Sequence, residues 1–165
     1  MGVVRQFNSM GAFATHLVGL QVATLKAAEH GLNQATKLIQ EDAKARIGEY
    51  QDAAGPFPAW ANLAESTVND RISKGFSPDE PLLRTGDLRE SIEREVKGLE
   101  GVVGSKSDIA LYQEMGTERI PPRPFLGPAA FNNKAKIQKL IGDAVFTALT
   151  GGEIVENEAY KLIEG

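Results

Sequence analysis

The sequence predicts an α+β fold: a small antiparallel sheet, built on one hairpin, packed with two long helices, one N-terminal and one C-terminal. Three observations carry this. A proline-free stretch from Phe13 to Tyr50 keeps its apolar residues on about half of a helical circumference. Residues Glu90 to Lys97 alternate as a strand does, and a glycine-rich turn follows them. Pro128 then opens a second helical period that runs to about Leu149.

In the first helix the apolar face is Phe13, Leu17, Leu20, Leu25, Ala28, Leu32, Ala35, Ile39, Ala43 and Ile47, with Lys26, His30, Lys37, Glu41 and Lys44 opposite. Gly31 lowers helix propensity by roughly 1 kcal/mol and marks either a bend or a close packing. At 1.5 Å per residue the helix reaches roughly 55 Å, longer than one compact domain needs, so part of it is expected to pack on another subunit. Gly55, Pro56 and Pro58 end it and deliver Trp60, the only tryptophan, as a core plug.

A short helix is expected from Leu63 to Lys74, then a loop through Gly75, Pro78 and Pro81, and a turn at Thr85-Gly86-Asp87 from which Leu88 and Ile92 re-enter the core. Ile92, Arg94 and Val96 form one strand face with a charged defect, and Gly98 to Gly101 turn the chain back through Val102-Val103. Asp108 to Met115 reads as a helical turn or a strand, stopped by Gly116-Thr117. Three prolines at 121, 122 and 124 then force extended backbone, a shaped loop that either plugs Phe125 into the core or makes a subunit contact. The second helix carries Ala130, Ile137, Leu140, Ile141, Ala144, Val145 and Ala148 on one face, and Gly151-Gly152 end it. The expected division is therefore a long helix over 1–51, an α+β domain over 52–150, and an acidic, partly apolar tail over 151–165 that frays or docks on a partner.

Composition narrows the function classes. In 165 residues, Lys and Arg number 18 and Asp and Glu 22, a net charge of −4, so no basic surplus exists to hold nucleic acid by counterion release. Absence of cysteine removes disulfides, thiolate nucleophiles and Cys-based zinc sites. The apolar stretch Leu17 to Leu25 is broken by Gly19, Gln21 and Thr24, and neither a signal peptide nor a spanning helix is readable. His16 and His30 lie fourteen residues apart on one helix, roughly 21 Å along its axis, and cannot share a metal. The glycines at 98, 101 and 104 sit in a hairpin instead of leading into a helix, the wrong context for phosphate. Glu93 and Glu95 share a strand face, where solvation is the ordinary role of such a pair. No catalytic residue, cofactor site or metal site is assigned.

Four motifs remain, in order: Trp60-x-x-Leu63; Leu82-Leu83-x-Thr85-Gly86-x-Leu88-x-x-Ser91-Ile92; Tyr112-x-Glu114-x-Gly116-Thr117; and Pro122-Arg123-Pro124-Phe125-Leu126-x-Pro128-Ala129, followed by the C-terminal helix. This order resembles the HK97 gp10-like head-tail connector or tail-completion family of tailed bacteriophages, and its first half is also similar to the Mu G-like tail-completion proteins. The resemblance covers about Trp60 to Leu149, and the long N-terminal helix and acidic tail depart from it. It implies a non-enzymatic structural subunit of a phage or prophage virion, assembled in the host bacterial cytoplasm. The subunit would form a homo-oligomeric ring, six-fold or twelve-fold, at the head-tail junction. Its partners would be other copies of itself and the neighbouring neck, head-completion or tail proteins, with DNA only as passing cargo and no membrane contact. In that reading Trp60, Leu63, Leu83, Gly86, Leu88, Tyr112, Gly116, Thr117, Pro124 and Phe125 shape the fold and its interfaces, while Glu114 and Arg123 lie near subunit contacts. Alternative readings are a phage-operon accessory or bacterial adaptor binding one protein partner, and a hydrolase, which would need an acidic or histidine-bearing pocket that the spacing does not supply.

Overall fold

The computed structural model describes residues 5–150; the tail over 151–165 and its expected helix stop at Gly151-Gly152 lie outside the described residues. The element order is α1 (Met10–Arg46), α2 (Glu65–Ser73), α3 (Asp87–Glu90), β1 (Ile92–Lys97), β2 (Glu100–Ser105), α4 (Asp108–Met115), α5 (Leu126–Asn132) and α6 (Lys134–Leu149). The fold is α+β, with one two-stranded antiparallel hairpin and long helices at both ends of the order.

Helix α1 begins three residues before the apolar period because Ser9 caps it: its Oγ accepts the Ala12 amide at 3.1 Å and its carbonyl the Phe13 amide at 3.1 Å. It ends at Arg46 instead of Tyr50, where Gly48 takes φ +110° and donates its N–H to the Pro81 carbonyl at 2.9 Å. The expected second helix is two. Asn133 breaks it, donating from Nδ2 to the Ala129 carbonyl at 2.8 Å and to Asp42 Oδ2 at 2.7 Å, and Asp42 is itself paired with Arg46. The ambiguous segment from Asp108 is helix α4, and the Thr85-Gly86-Asp87 turn is the start of α3, with Gly86 in the left-handed region at φ 95°.

The chain divides into two compact units, with boundaries inside α1 and after α5. Among the described residues one unit is 5–35, Val96–Gly101 and 135–150; the other is Thr36–Glu95 and Val102–Lys134. In the first, α1 and α6 run antiparallel through a seam of small residues. Ala27 packs with Ala144 and Ala148, with Ala23 alongside, and a Cβ on Gly31 would fall 2.9 Å from the Ile141 Cα. Gly31 therefore marks close packing.

In the second unit the core is Ala43, Ile47, Trp60, Ile92, Ala110, Phe125 and Ala129, with Leu82, Leu83, Leu88 and Val103 packed on it. The hairpin is anchored at its base. Ile92 is buried and its carbonyl accepts Gln40 Nε2 at 2.7 Å, while the Ser91 and Ser105 hydroxyls bond at 2.7 Å. Glu93, Arg94 and Glu95 are all exposed, so the charged defect at Arg94 involves no burial of charge. Gly98, at φ +58°, makes the tight turn between the strands.

Candidate functional site

All four sequence motifs fall in the second unit, and three of them lock together. The loop after α1 is held by reciprocal bonds between Ala54 and Phe57 and by the Trp60 amide on the Gln51 carbonyl at 2.9 Å. That geometry turns the Trp60 indole inward, where it is buried and donates from Nε1 to the Pro124 carbonyl at 2.9 Å. A buried indole N–H needs an acceptor, and the proline strap supplies one across 64 positions of sequence.

The strap is fixed from both sides. Arg123 is buried; its Nε and Nη2 donate to the Ala61 carbonyl at 3.2 and 2.9 Å, and Nη2 also to the Asn62 carbonyl at 3.1 Å. Burial pushes its guanidinium below the ordinary arginine range, with Tyr50 acting in the opposite sense, yet the group stays cationic near neutrality. Glu114, from α4, receives the next three amides: Phe125 and Leu126 donate to Oε2 at 2.7 and 3.0 Å and Gly127 to Oε1 at 2.7 Å. One carboxylate thus satisfies the open N–H groups at the start of α5 and meets the positive end of its dipole. Phe125, between these two clamps, is fully buried.

The Gly-Thr pair makes the return turn. Gly116 takes φ +74°, and a Cβ there would lie 2.9 Å from the Pro122 nitrogen and 3.0 Å from the Ile120 carbonyl, so only glycine fits. Thr117 then accepts the Arg119 and Ile120 amides on Oγ1 at 3.2 and 3.1 Å and donates its own N–H to the Ile120 carbonyl at 2.8 Å. Tyr112, by contrast, is exposed, and its carbonyl accepts the Gly116 amide at 3.0 Å.

Beside the strap lies an open groove of about 530 Å³. Leu63, Leu82, Leu88, Ile109, Ile120 and Pro121 supply its apolar lining, and Arg71, Arg84, Arg119 and Arg123 its cations, against one acid, Asp87. Two of the arginines hold backbone. Arg123 does so as above, and Arg71, buried, donates from Nε to the Ser77 carbonyl at 2.6 Å and from Nη2 to the Leu83 carbonyl. Arg84 pairs with Asp70 at 3.0 Å and lies over the Phe76 ring, 4.8 Å from its centroid. Asp70 is held below the usual carboxylate range, first by its bond to Lys74 at 2.6 Å and then by Arg84. Arg119 is exposed and has no acidic partner among the described residues. Gln113 adds a side-chain Oε1 that is buried without a hydrogen-bond donor.

Of the residues singled out in the sequence, Trp60, Pro124, Phe125, Arg123, Glu114, Gly116 and Thr117 form this lock, and Leu63, Gly86, Leu88 and Arg123 line the groove. Leu83 packs on the core and gives its carbonyl to Arg71. Glu114 and Arg123, expected near subunit contacts, are both engaged inside the unit. Sequence reasoning passed over Arg71 and Gln113, for which no local pattern exists. Among the described residues no three His, Asp or Glu side chains gather as a metal site, and no described helix is long and apolar enough to cross a membrane. The groove offers hydrogen bonds, charge and apolar surface, which suit it to holding an extended segment. No family model, curated protein or solved structure matches the chain.

Proposed function

We propose that the chain is a structural subunit of a tailed-phage or prophage virion, forming an oligomeric ring at the head-tail junction that joins capsid to tail and lets DNA pass. The observation that carries this reading is the convergence of motifs. Trp60 and the Pro122–Phe125 segment, with Glu114, Gly116 and Thr117 between them in sequence, bond into one buried lock, so their order in the chain reflects a single folded device. That device ends in shape: a strap fixed from both sides and an open groove whose two buried arginines hold backbone, a construction suited to binding without turnover. The subunit would act through its interfaces with its own copies and with neighbouring neck, head-completion or tail proteins.

The test is deletion of the gene from the phage or prophage that encodes it. Electron microscopy should then find filled or empty heads and separate tails, with joined particles restored by supplying the protein in trans. Joined, infectious particles in the deletion strain would refute the proposal. The groove also favours a second reading, an adaptor that grips one extended peptide of a partner. A stable one-to-one complex with a single host protein, in a protein absent from purified virions, would select it.

A further inference from the structure

The groove beside the strap is a positive site in an acidic chain. Four arginines line it, at 71, 84, 119 and 123, against Asp87 alone, while the whole sequence has a net charge of −4. Arg84 is matched by Asp70. Arg71 and Arg123 are buried, and the bonds that hold them run to the neutral carbonyls of Ser77, Leu83, Ala61 and Asn62, which fix their charge in place without cancelling it. A buried charge without an opposite charge is costly, and a carboxylate brought to the groove would offset that cost. Arg119 is exposed and has no acidic partner among the described residues. The apolar wall is open as well, with Ile109 59% exposed. Leu82, on the same wall, takes φ 63°, the only left-handed backbone at a residue other than glycine among the described residues. Strain of this kind clusters at ligand sites.

The sequence holds one segment of matching chemistry. Glu153-Ile154-Val155-Glu156-Asn157-Glu158 has three carboxylates, two branched aliphatic side chains and no cation, and no other run of six residues in the chain has three acids without a Lys or Arg. Only Gly151-Gly152 separate it from Thr150. Laid out as a strand, six residues span about 20 Å, and Ile154, Glu156 and Glu158 share one face. That face offers an aliphatic contact for Leu63, Leu82 and Ile109 and two carboxylates for the arginines. Groove against groove, or segment against segment, would set like charges together. An acidic segment and a basic groove on one chain are instead the unlike pair that a head-to-tail contact uses, and such contacts close into rings or run on as filaments.

We infer that residues 153–158 of one copy lie extended in the arginine-lined groove of a second copy, with Ile154, Glu156 and Glu158 turned toward it. The inference rests on the ring reading for placing segment and groove on different copies, but it is measured in solution without any phage particle.

The test uses full-length variants in sedimentation velocity, Glu156→Lys with Glu158→Lys in the segment and Arg119→Glu in the groove. The parent protein should self-associate, less so as salt is raised. Each variant alone should associate at least about tenfold more weakly, a loss of 1.4 kcal/mol. An equimolar mixture should recover a one-to-one dimer that grows no further, because one variant keeps its groove and the other its acidic segment. Circular dichroism checks folding, and Ile109→Ser replaces Arg119→Glu if that variant misfolds. A fluorescent synthetic peptide of residues 151–165 should bind the segment variant, and adding the groove substitution should weaken that binding at least about tenfold. A peptide that binds equally well with the groove substituted overturns the inference, as does a mixture that recovers nothing. A parent that stays monomeric while its segment variant binds the peptide would put the segment in its own chain's groove and overturns the contact between copies. If the deletion strain makes joined particles while the mixture still recovers the dimer, the virion reading fails and the contact stands. If heads and tails stay separate in that strain while the parent is monomeric, the contact fails and the virion reading stands.

Discussion

Replacing Arg123 with alanine separates a fold clamp from an interface residue. The residue is 6% exposed, and its guanidinium makes three bonds to two carbonyls, Ala61 and Asn62. Bonds from a charged donor contribute about 1.5–3 kcal/mol each, and the orphaned carbonyls would add a desolvation cost. Against this stands relief of the cation's own burial, the effect that depresses its pKa. With Ala61 and Asn62 exposed enough for water to replace part of what is lost, the expected net is about 2–3 kcal/mol. In a chain of this size that lowers Tm by roughly 4–12 °C. Trp60 is the only tryptophan, and its indole bonds to the residue after Arg123, so its fluorescence in a urea titration reports the lock directly. The midpoint should fall with the slope unchanged. Arg123→Lys should lose about half as much, because one ammonium cannot reproduce the guanidinium fork. A midpoint within about 0.5 kcal/mol of the parent, with association weakened instead, would refute the clamp and return Arg123 to an interface role.

Phe125→Ala removes a fully buried ring and should cost about 3–5 kcal/mol by calorimetry; a loss under about 1 kcal/mol would mean the ring is not a core plug. Gly31→Val sets a side chain against the Ile141 backbone, 2.9 Å from where its Cβ falls. It should lower stability by about 1–3 kcal/mol, and an unchanged Tm would show that the α1–α6 seam is looser than described. Asp70, held below its ordinary 3.8 by Lys74 and Arg84, contributes stability present above the unfolded value and lost as pH falls through the lower folded one. Its NMR titration midpoint should lie below 3.8 and rise in Lys74→Ala; a midpoint indifferent to that change would remove Lys74 as the cause.

The parts legible in the sequence were those decided locally. Helix α1 follows from an unbroken apolar period, the hairpin from alternation and a glycine turn, and the burial of Trp60 from a lone tryptophan beside prolines, while Phe125 stood open between a core plug and a subunit contact. The parts that were not legible depend on distant residues. The apolar period runs straight through Asn133, and what breaks the helix there is an acceptor on Asp42, 91 positions earlier. Arg123 and Glu114 were expected near subunit contacts, and only the folded chain brings carbonyls 61 and 62 and amides 125–127 to them. The helix α3 has four residues, too few for any period to register. Arg71 reads as an ordinary solvated helix cation until Ser77 and Leu83 fold over it.

The hairpin has a consequence for solubility. A two-stranded sheet leaves one edge of each strand without a ladder partner, and such edges template the addition of foreign strands. Here β1 presents Glu93, Glu95 and Lys97 to solvent on one face and Arg94 on the other, so an incoming strand would have to set its own side chains beside charges on both faces. The charged defect that weakens the strand signature is what keeps the ribbon from becoming a seed for aggregation.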